Sequence, residues 1–161
     1  QLGPEMRSTG EVMGVARSFP LAFLKAQLAA GTRLPRSGRV FISVKDGDKP
    51  AACEGGRKLA ALGFELVATA AGVEAPPIRK VLQGSPHVVD ALRAGQIDLV
   101  INTTIGARSV RDSYAIRRQA LLSEVPYFTT MSAALAVADS LTLAPEAARE
   151  VRSLQEWHQA P

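Results

Sequence analysis

Cysteine is nearly absent from this chain: Cys53 is the only one among 161 residues. A lone thiol excludes an internal disulfide framework and any zinc site built on cysteine, and a reducing cytoplasm is the simplest compartment for it. Aromatic residues are scarce as well, at 5%. The apolar mass is therefore Ala, Val, Leu and Ile, which suits parallel strands buried under helices better than an antiparallel sandwich. No apolar run approaches the roughly 20 residues needed to cross a bilayer, and the opening residues lack a signal-peptide pattern, so nothing points to a membrane. Histidine is limited to His87 and His158, and no repeat or low-complexity tract is present. Nineteen basic against fifteen acidic residues leave +4 and a pI near 9.6. That excess is modest and has no aromatic-rich basic strip beside it, which disfavours nucleic acid as a partner and leaves small anions such as nucleotide phosphates.

What is present is 47% hydrophobic and 21% charged sequence, enough for one sizeable core, whereas two domains would be crowded. Phe19, Leu21, Phe23, Leu24 and Leu28 recur on a helical period over Phe19 to Ala30, stopped by Gly31. Residues 1–37 read as a linker carrying that helix, and the compact domain as beginning near Gly38. Arg39 to Val44 is a short β-branched apolar run, the pattern of a buried strand, and Lys45 to Lys49 is the turn after it. Alternation follows: a helix over Ala51 to Leu62, strands over Phe64 to Thr69 and Ile78 to Val81, and a helix over His87 to Arg93. A strand over Ile97 to Asn102, a helix over Val110 to Leu122, a strand over Val125 to Phe128 and a helix over Met131 to Leu141 come next. Pro145 opens a last helix running to about His158. The expected fold is a three-layer, Rossmann-like α/β domain, a parallel sheet with right-handed crossovers flanked by helices.

In such sheets ligands bind beyond the carboxyl ends of the strands, where loops meet helix amino termini. The first expected strand ends at Ser43-Val44 with Lys49 close behind, the second at Thr69, the third carries Lys80, and Asn102-Thr103-Thr104 closes the next. Hydroxyls, amides and ammonium groups would converge at one rim, which is the outline of an anion site. Taken singly, Ser, Thr and Asn at strand ends also satisfy loose backbone groups and cap helices, and surface lysines are mostly solvated. The convergence favours the anion.

Two motifs add a family resemblance. Gly3-Pro4-Glu5-Met6-Arg7-Ser8-Thr9-Gly10-Glu11-Val12-Met13-Gly14 resembles the segment that closes each ATP-binding half of the carbamoyl phosphate synthetase large chain. Ile101-Asn102-Thr103-Thr104, with Gly106-Ala107-Arg108 and Asp112 to Arg118 after it and Ser43, Lys49, Thr69 and Lys80 before it, resembles the carboxyl-terminal allosteric, methylglyoxal-synthase-like domain of the same family. The resemblance implies that residues 1–37 are the tail of the second ATP-grasp synthetic half plus a linker helix, and that residues 38–161 are the allosteric domain of a longer chain. It implies a ligase making carbamoyl phosphate from glutamine-derived ammonia, bicarbonate and ATP for pyrimidine and arginine biosynthesis. The parent enzyme would use ATP, Mg and K, while this domain would need no cofactor and have no catalytic residue or metal site. Its implied partners are a UMP- or IMP-type effector, the synthetic domain of its own chain and a glutaminase small subunit. Position by position, Lys49, Thr69 and Lys80 match phosphate-side contacts, and Ser43, Asn102 and Thr104 match nucleotide-lining positions. The expected mechanism is a shift between two states of the whole enzyme, transmitted through the segment from Arg7 to Gly14.

Departures from the family pattern carry their own expectations. Tyr127 and Thr129 match positions on the ornithine side, but Phe128 stands where an Asp is found and the site's other acidic partners lie in the synthetic domain, so ornithine binding by this chain alone is not expected. After Thr69 a Gly-Thr turn and helix are missing, and the link to Ile78 is shorter than the 10–12 residues or so of a βαβ crossover. Either a helix has been lost or residues are missing between Thr69 and Ala70, and the second is favoured. A methylglyoxal-synthase-type lyase is the enzymatic alternative, but it needs a carboxylate base, and Asn102 offers an amide. An assembly-only domain is the third class, with self-association through helices from Val110 onward or through Ala133 to Ala138.

Overall fold

The computed structural model describes residues 12–69, 75–79, 81, 84–103, 107–143 and 151–159. Four parallel strands, β1 (Arg39–Ser43), β2 (Glu65–Ala68), β3 (Leu99–Asn102) and β4 (Tyr127–Phe128), lie in the order β2-β1-β3-β4. Six helices accompany them: α1 (Phe19–Ala29), α2 (Lys49–Ala61), α3 (Val88–Arg93), α4 (Ala107–Leu122), α5 (Met131–Leu141) and α6 (Leu154–Gln159). The expected α/β, Rossmann-like sheet is present.

Both faces of the sheet are covered, because the period-2 alternation of side chains gives each strand two apolar faces. Val40, Ile42, Leu99, Ile101 and Phe128 meet Ala52 and Leu59 of α2 and Met131, Ala134, Val137 and Ala138 of α5. On the opposite face Phe41 and Val100 meet Val88, Val89 and Leu92 of α3 and Ile116 and Ala120 of α4. Burying Phe41 completely contributes on the order of 1.5–3 kcal/mol. Ala134, Ala136 and Ala138 are themselves buried, so the Ala-rich segment offered for self-association is occupied by the domain's own core.

The helix assigned to the linker is docked on the domain. Leu24 of α1 is buried, and the Ser140 hydroxyl of α5 donates to the Pro20 carbonyl at 2.9 Å. Before α1, Gly14 lies so close to the helix backbone that a Cβ there would overlap the Ala22 carbonyl oxygen; only glycine permits that approach. On the same side, Lys58 of α2 pairs with Asp139 of α5 at 2.7 Å and with Glu54 at 3.1 Å. Hydrogen bonds from the ammonium to Asp139 and then Glu54 raise the Lys58 pKa above its ordinary value.

Several elements depart from their expected bounds. No strand forms over Ile78 to Val81 among the described residues. Instead Pro77 makes one parallel bridge to Ala68, with the Ala68 amide donating to the Pro76 carbonyl and the Ile78 amide to the Ala68 carbonyl. Pro76 and Pro77 have no N–H to extend a ladder, so pairing stops there. Strands β2, β3 and β4 are shorter than expected at their amino ends, since Phe64, Ile97 and Val125 fill the core beside the strand rather than within it, whereas β1 begins at Arg39 as expected and ends one residue early, at Ser43. Helix α2 begins at Lys49, which moves this lysine from the turn into the first helical turn. Helix α4 begins at Ala107, three residues before the expected Val110, drawing in Ala107 and Arg108, both good helix formers.

The last helix does not begin at Pro145, which lies outside the described residues together with the rest of 144–150. Val151 to Ser153 are non-helical. Ser153 accepts from the Glu156 amide at 3.2 Å while Glu156 accepts from the Ser153 amide at 2.6 Å. That capping box starts the helix at Leu154. The hydrogen bonds from Ser153 hold the Glu156 carboxyl below its ordinary pKa. Ala70, where missing chain was expected, also lies outside the described residues.

Candidate functional site

Register builds the site. Ser43 is the residue of β1 paired with Asn102 of β3, and Ile42 is paired with Ala68 of β2, so Thr69 follows level with Ser43. Strands that run parallel and end level place Ser43, Thr69 and Asn102 in one row at the carboxyl rim. Thr69 and Thr103 are 7% and 6% exposed, and Asn102 is 4% exposed. Polar groups this deep need partners, and among the described residues no buried side-chain nitrogen or oxygen lacks one.

The partners define what remains for a ligand. The Thr69 hydroxyl donates to Ser43 Oγ at 2.7 Å. That uses Thr69's single proton and leaves the Ser43 proton as the one the pair can still donate, strengthened by the bond it accepts. The Thr103 amide donates to the Ser43 carbonyl at 2.9 Å, and Thr103 Oγ1 accepts from the Lys45 amide at 3.1 Å. Asn102 is turned inward: its amide nitrogen donates to Ser113 Oγ at 2.9 Å and to the Tyr127 hydroxyl at 2.6 Å. One turn along α4 from Ser113, the Arg117 guanidinium lies 5.5 Å from the Tyr127 ring centroid, a cation–π contact. Tyr127 therefore serves β3 and α4. Phe128, next to it, is buried in the α2/α5 core, and Thr129 is exposed.

Two lysines follow β1. Lys45 and Lys49 flank the 3-10 turn Asp46–Asp48, Lys49 pairing with Asp46 at 2.8 Å and Lys45 with Asp48 at 3.7 Å. Lys49 also opens α2, whose amino-terminal dipole adds positive potential. Of the expected effector residues, the structure brings together Ser43, Thr69, Asn102 and Thr103, and it places Lys49 at the start of α2, after the turn that leaves β1. Lys80 and Thr104 lie outside the described residues. Lys45 and Ser113 were not singled out as site residues; the near-symmetric Lys45-Asp46-Gly47-Asp48-Lys49 could have signalled the first, and nothing in the spacing signals the second.

The histidines have structural surroundings. His87 is the amino cap of α3: its Nδ1 accepts from the Asp90 amide at 3.4 Å, while Asp90 Oδ2 accepts from the His87 amide at 3.0 Å and the Ser85 hydroxyl at 2.8 Å. Those bonds, the His87 amide first, hold the Asp90 carboxyl below its ordinary pKa. His158 is exposed on α6. A cleft of about 520 Å³ runs between Pro77–Arg79 and α3 and contains none of the rim residues. It is an open groove lined by Pro77, Ile78 and Arg79 on one side and by α3 residues on the other. Among the described residues no group of three His, Cys, Asp or Glu is placed to hold a metal ion, and no helix is long and apolar enough to cross a membrane.

Residues 52–129, which hold most of this parallel α/β sheet, match the family model of the MGS-like domain. The chain carries an MGS-like domain. Its sequence is similar almost throughout to carbamoyl phosphate synthase large chains: 50% identical over 97% of the chain to that of Mesorhizobium japonicum, and 49% over 97% to that of Myxococcus xanthus. It is 49% identical over 98% of its length to the carbamoyl phosphate synthase large chain, C-terminal section, of Methanopyrus kandleri. The chain spans 14% and 15% of the two bacterial proteins and 31% of the archaeal one. These alignments extend over 164 to 166 positions, more than the 161 residues of the chain. The relatives therefore carry residues without a counterpart here, in keeping with the short connection after Thr69.

Proposed function

We propose that this chain is the nucleotide-sensing part of a carbamoyl phosphate synthase large chain, binding a UMP- or IMP-type effector and performing no catalysis of its own. The observation that carries the reading is the Thr69 to Ser43 hydrogen bond at the carboxyl rim, with Lys45 and Lys49 at the two ends of the turn that follows β1. Together they supply a polarised hydroxyl donor and two ammonium groups, the combination a phosphate dianion requires. Lys49, Thr69 and Lys80 take the phosphate side. Ser43, Asn102, Thr103 and Thr104 line the nucleotide, with Asn102 acting mainly by tying β3 to α4 and β4. Neither Asn102 nor the capping His87 can supply the proton abstraction of a lyase.

The complete enzyme would be the ATP-dependent ligase that makes carbamoyl phosphate for pyrimidine and arginine biosynthesis, with a glutaminase small subunit as its ammonia source. ATP, Mg and K belong to its synthetic halves, and the described residues offer no carboxylate cluster for the divalent ion. Effector binding would bias two states of that enzyme, which requires different affinity for each. Of the segment Arg7 to Gly14 expected to transmit the bias, Gly14 is seated against α1, and Arg7 to Glu11 lie outside the described residues. Ornithine is not proposed as a ligand of this chain alone, since Phe128, where the family pattern has an Asp, is buried in the core.

Calorimetric titration with UMP and then IMP, repeated on Lys49→Ala and Lys80→Ala, tests the reading. Saturable binding that both substitutions abolish is the expected result. Absence of heat and of thermal shift up to millimolar nucleotide would overturn it in favour of an assembly-only domain.

A further inference from the structure

The five residues Lys45-Asp46-Gly47-Asp48-Lys49 carry two cations and two anions and sum to zero charge. A 3-10 turn eclipses side chains three residues apart, so the turn over Asp46–Asp48 sets each lysine against one aspartate: Lys49 Nζ to Asp46 Oδ1 at 2.8 Å, and Lys45 Nζ to Asp48 Oδ2 at 3.7 Å. Both lysines of the turn after β1 are thus already in contact with a carboxylate.

We infer that Asp46 is an internal competitor for the ligand's phosphate, with Asp48 in the same role toward Lys45; this rests on the proposed reading of the rim as a phosphate site. Lys49 can present its full charge to an incoming dianion only by releasing Asp46. The tether keeps the aspartate at high effective concentration, so it competes at every ligand concentration and sets the affinity below what the lysines and hydroxyls would give unopposed. Release buries no charge, because the Asp46 side chain is 94% exposed. The Ser43 hydroxyl has no such competitor and receives the phosphate oxygen in either state. Asp46 is accordingly an affinity-setting residue that never touches the ligand.

The test uses the 161-residue chain, inorganic phosphate and UMP as probes, and NMR titration at low ionic strength. Asp46→Asn is expected to tighten both probes by roughly two- to fivefold, the range of an exposed ion pair. In the wild type, the Asp46 carboxyl ¹³C signal is expected to move with saturation as the pair opens. Glu54→Gln removes an equal charge from α2 at a carboxylate paired with Lys58, and is expected to leave both affinities unchanged. Equal tightening by Glu54→Gln and Asp46→Asn would overturn the inference in favour of a general charge effect. So would unchanged or weaker binding in Asp46→Asn while Lys49→Ala still abolishes it, and in that case the nucleotide reading stands. Failure of the wild type to bind either probe, or indifference to Lys49→Ala, would overturn the nucleotide reading itself and this inference with it.

Discussion

At the amino end of the sheet, Asp98 accepts a hydrogen bond from the Arg39 amide at 2.7 Å, and the Arg39 guanidinium reaches Glu65 at 2.8 Å. At the carboxyl end, Thr69 donates to Ser43 at 2.7 Å and Asn102 to Tyr127 at 2.6 Å, and the two lysines of the turn after β1 pair with exposed or partly exposed aspartates. Both rims are polar, and both satisfy their buried groups. They differ in what is left over. The charges of the amino end are consumed in holding strand ends, with Gly38 at φ +115 packed directly beneath the Asp98 carboxylate. The carboxyl end retains a hydroxyl proton and two ammonium groups whose partners can leave. A binding rim is recognised by its spare donors rather than by its polarity.

The largest effect is expected at the rim assigned to structure. Gly38→Ala places a Cβ into Asp98 at a backbone angle that side chains rarely adopt. Strain and the displaced Asp98–Arg39 bond together cost about 3 kcal/mol, read as a lower urea midpoint, with nucleotide affinity unaltered in the folded fraction. Next, Lys49→Ala should weaken UMP at least tenfold, the scale of a lost charge-assisted hydrogen bond, while the urea midpoint stays within error. Gly38→Ala without a stability loss, or Lys49→Ala without a binding loss, would erase the contrast between the rims.

Smaller effects sharpen it. Tyr127→Phe removes the hydroxyl that receives the Asn102 amide and should cost about 1 kcal/mol of stability, with a weaker effect on nucleotide than Lys49→Ala because Asn102 acts by placement. Asp90→Asn should lower the melting temperature slightly at pH 7. The folded state holds the Asp90 carboxyl below its ordinary value of 3.8, so its contribution is present above the unfolded value and is lost as pH falls through the folded one. The difference between wild type and variant should close below about pH 3.8.

The fold was largely legible because its core strands are unbroken apolar runs: Val40-Phe41-Ile42 and Leu99-Val100-Ile101 can only be strands buried on both faces, and Met131–Leu141 matches its helix at both ends. The strand expected over Ile78–Val81 failed because its β-branched residues follow Pro76-Pro77, which end the ladder. The site was legible as a row, since parallel strands that end level bring Ser43, Thr69 and Asn102 together. Its internal commitments were not. Residue type says that Asn102 can donate, but only the packing of α4 and β4 decides that it donates to Ser113 and Tyr127. Likewise Lys49 reads as a free cation until the turn sets Asp46 against it.

The most direct test of the account is an amide chemical-shift map of the chain titrated with UMP. The account predicts shifts confined to Ser43–Lys49, Thr69, Lys80 and Asn102–Thr104, with Gly38, Arg39, Glu65 and Asp98 unmoved. Shifts centred on the amino end, or on the cleft between Pro77–Arg79 and α3, would contradict it.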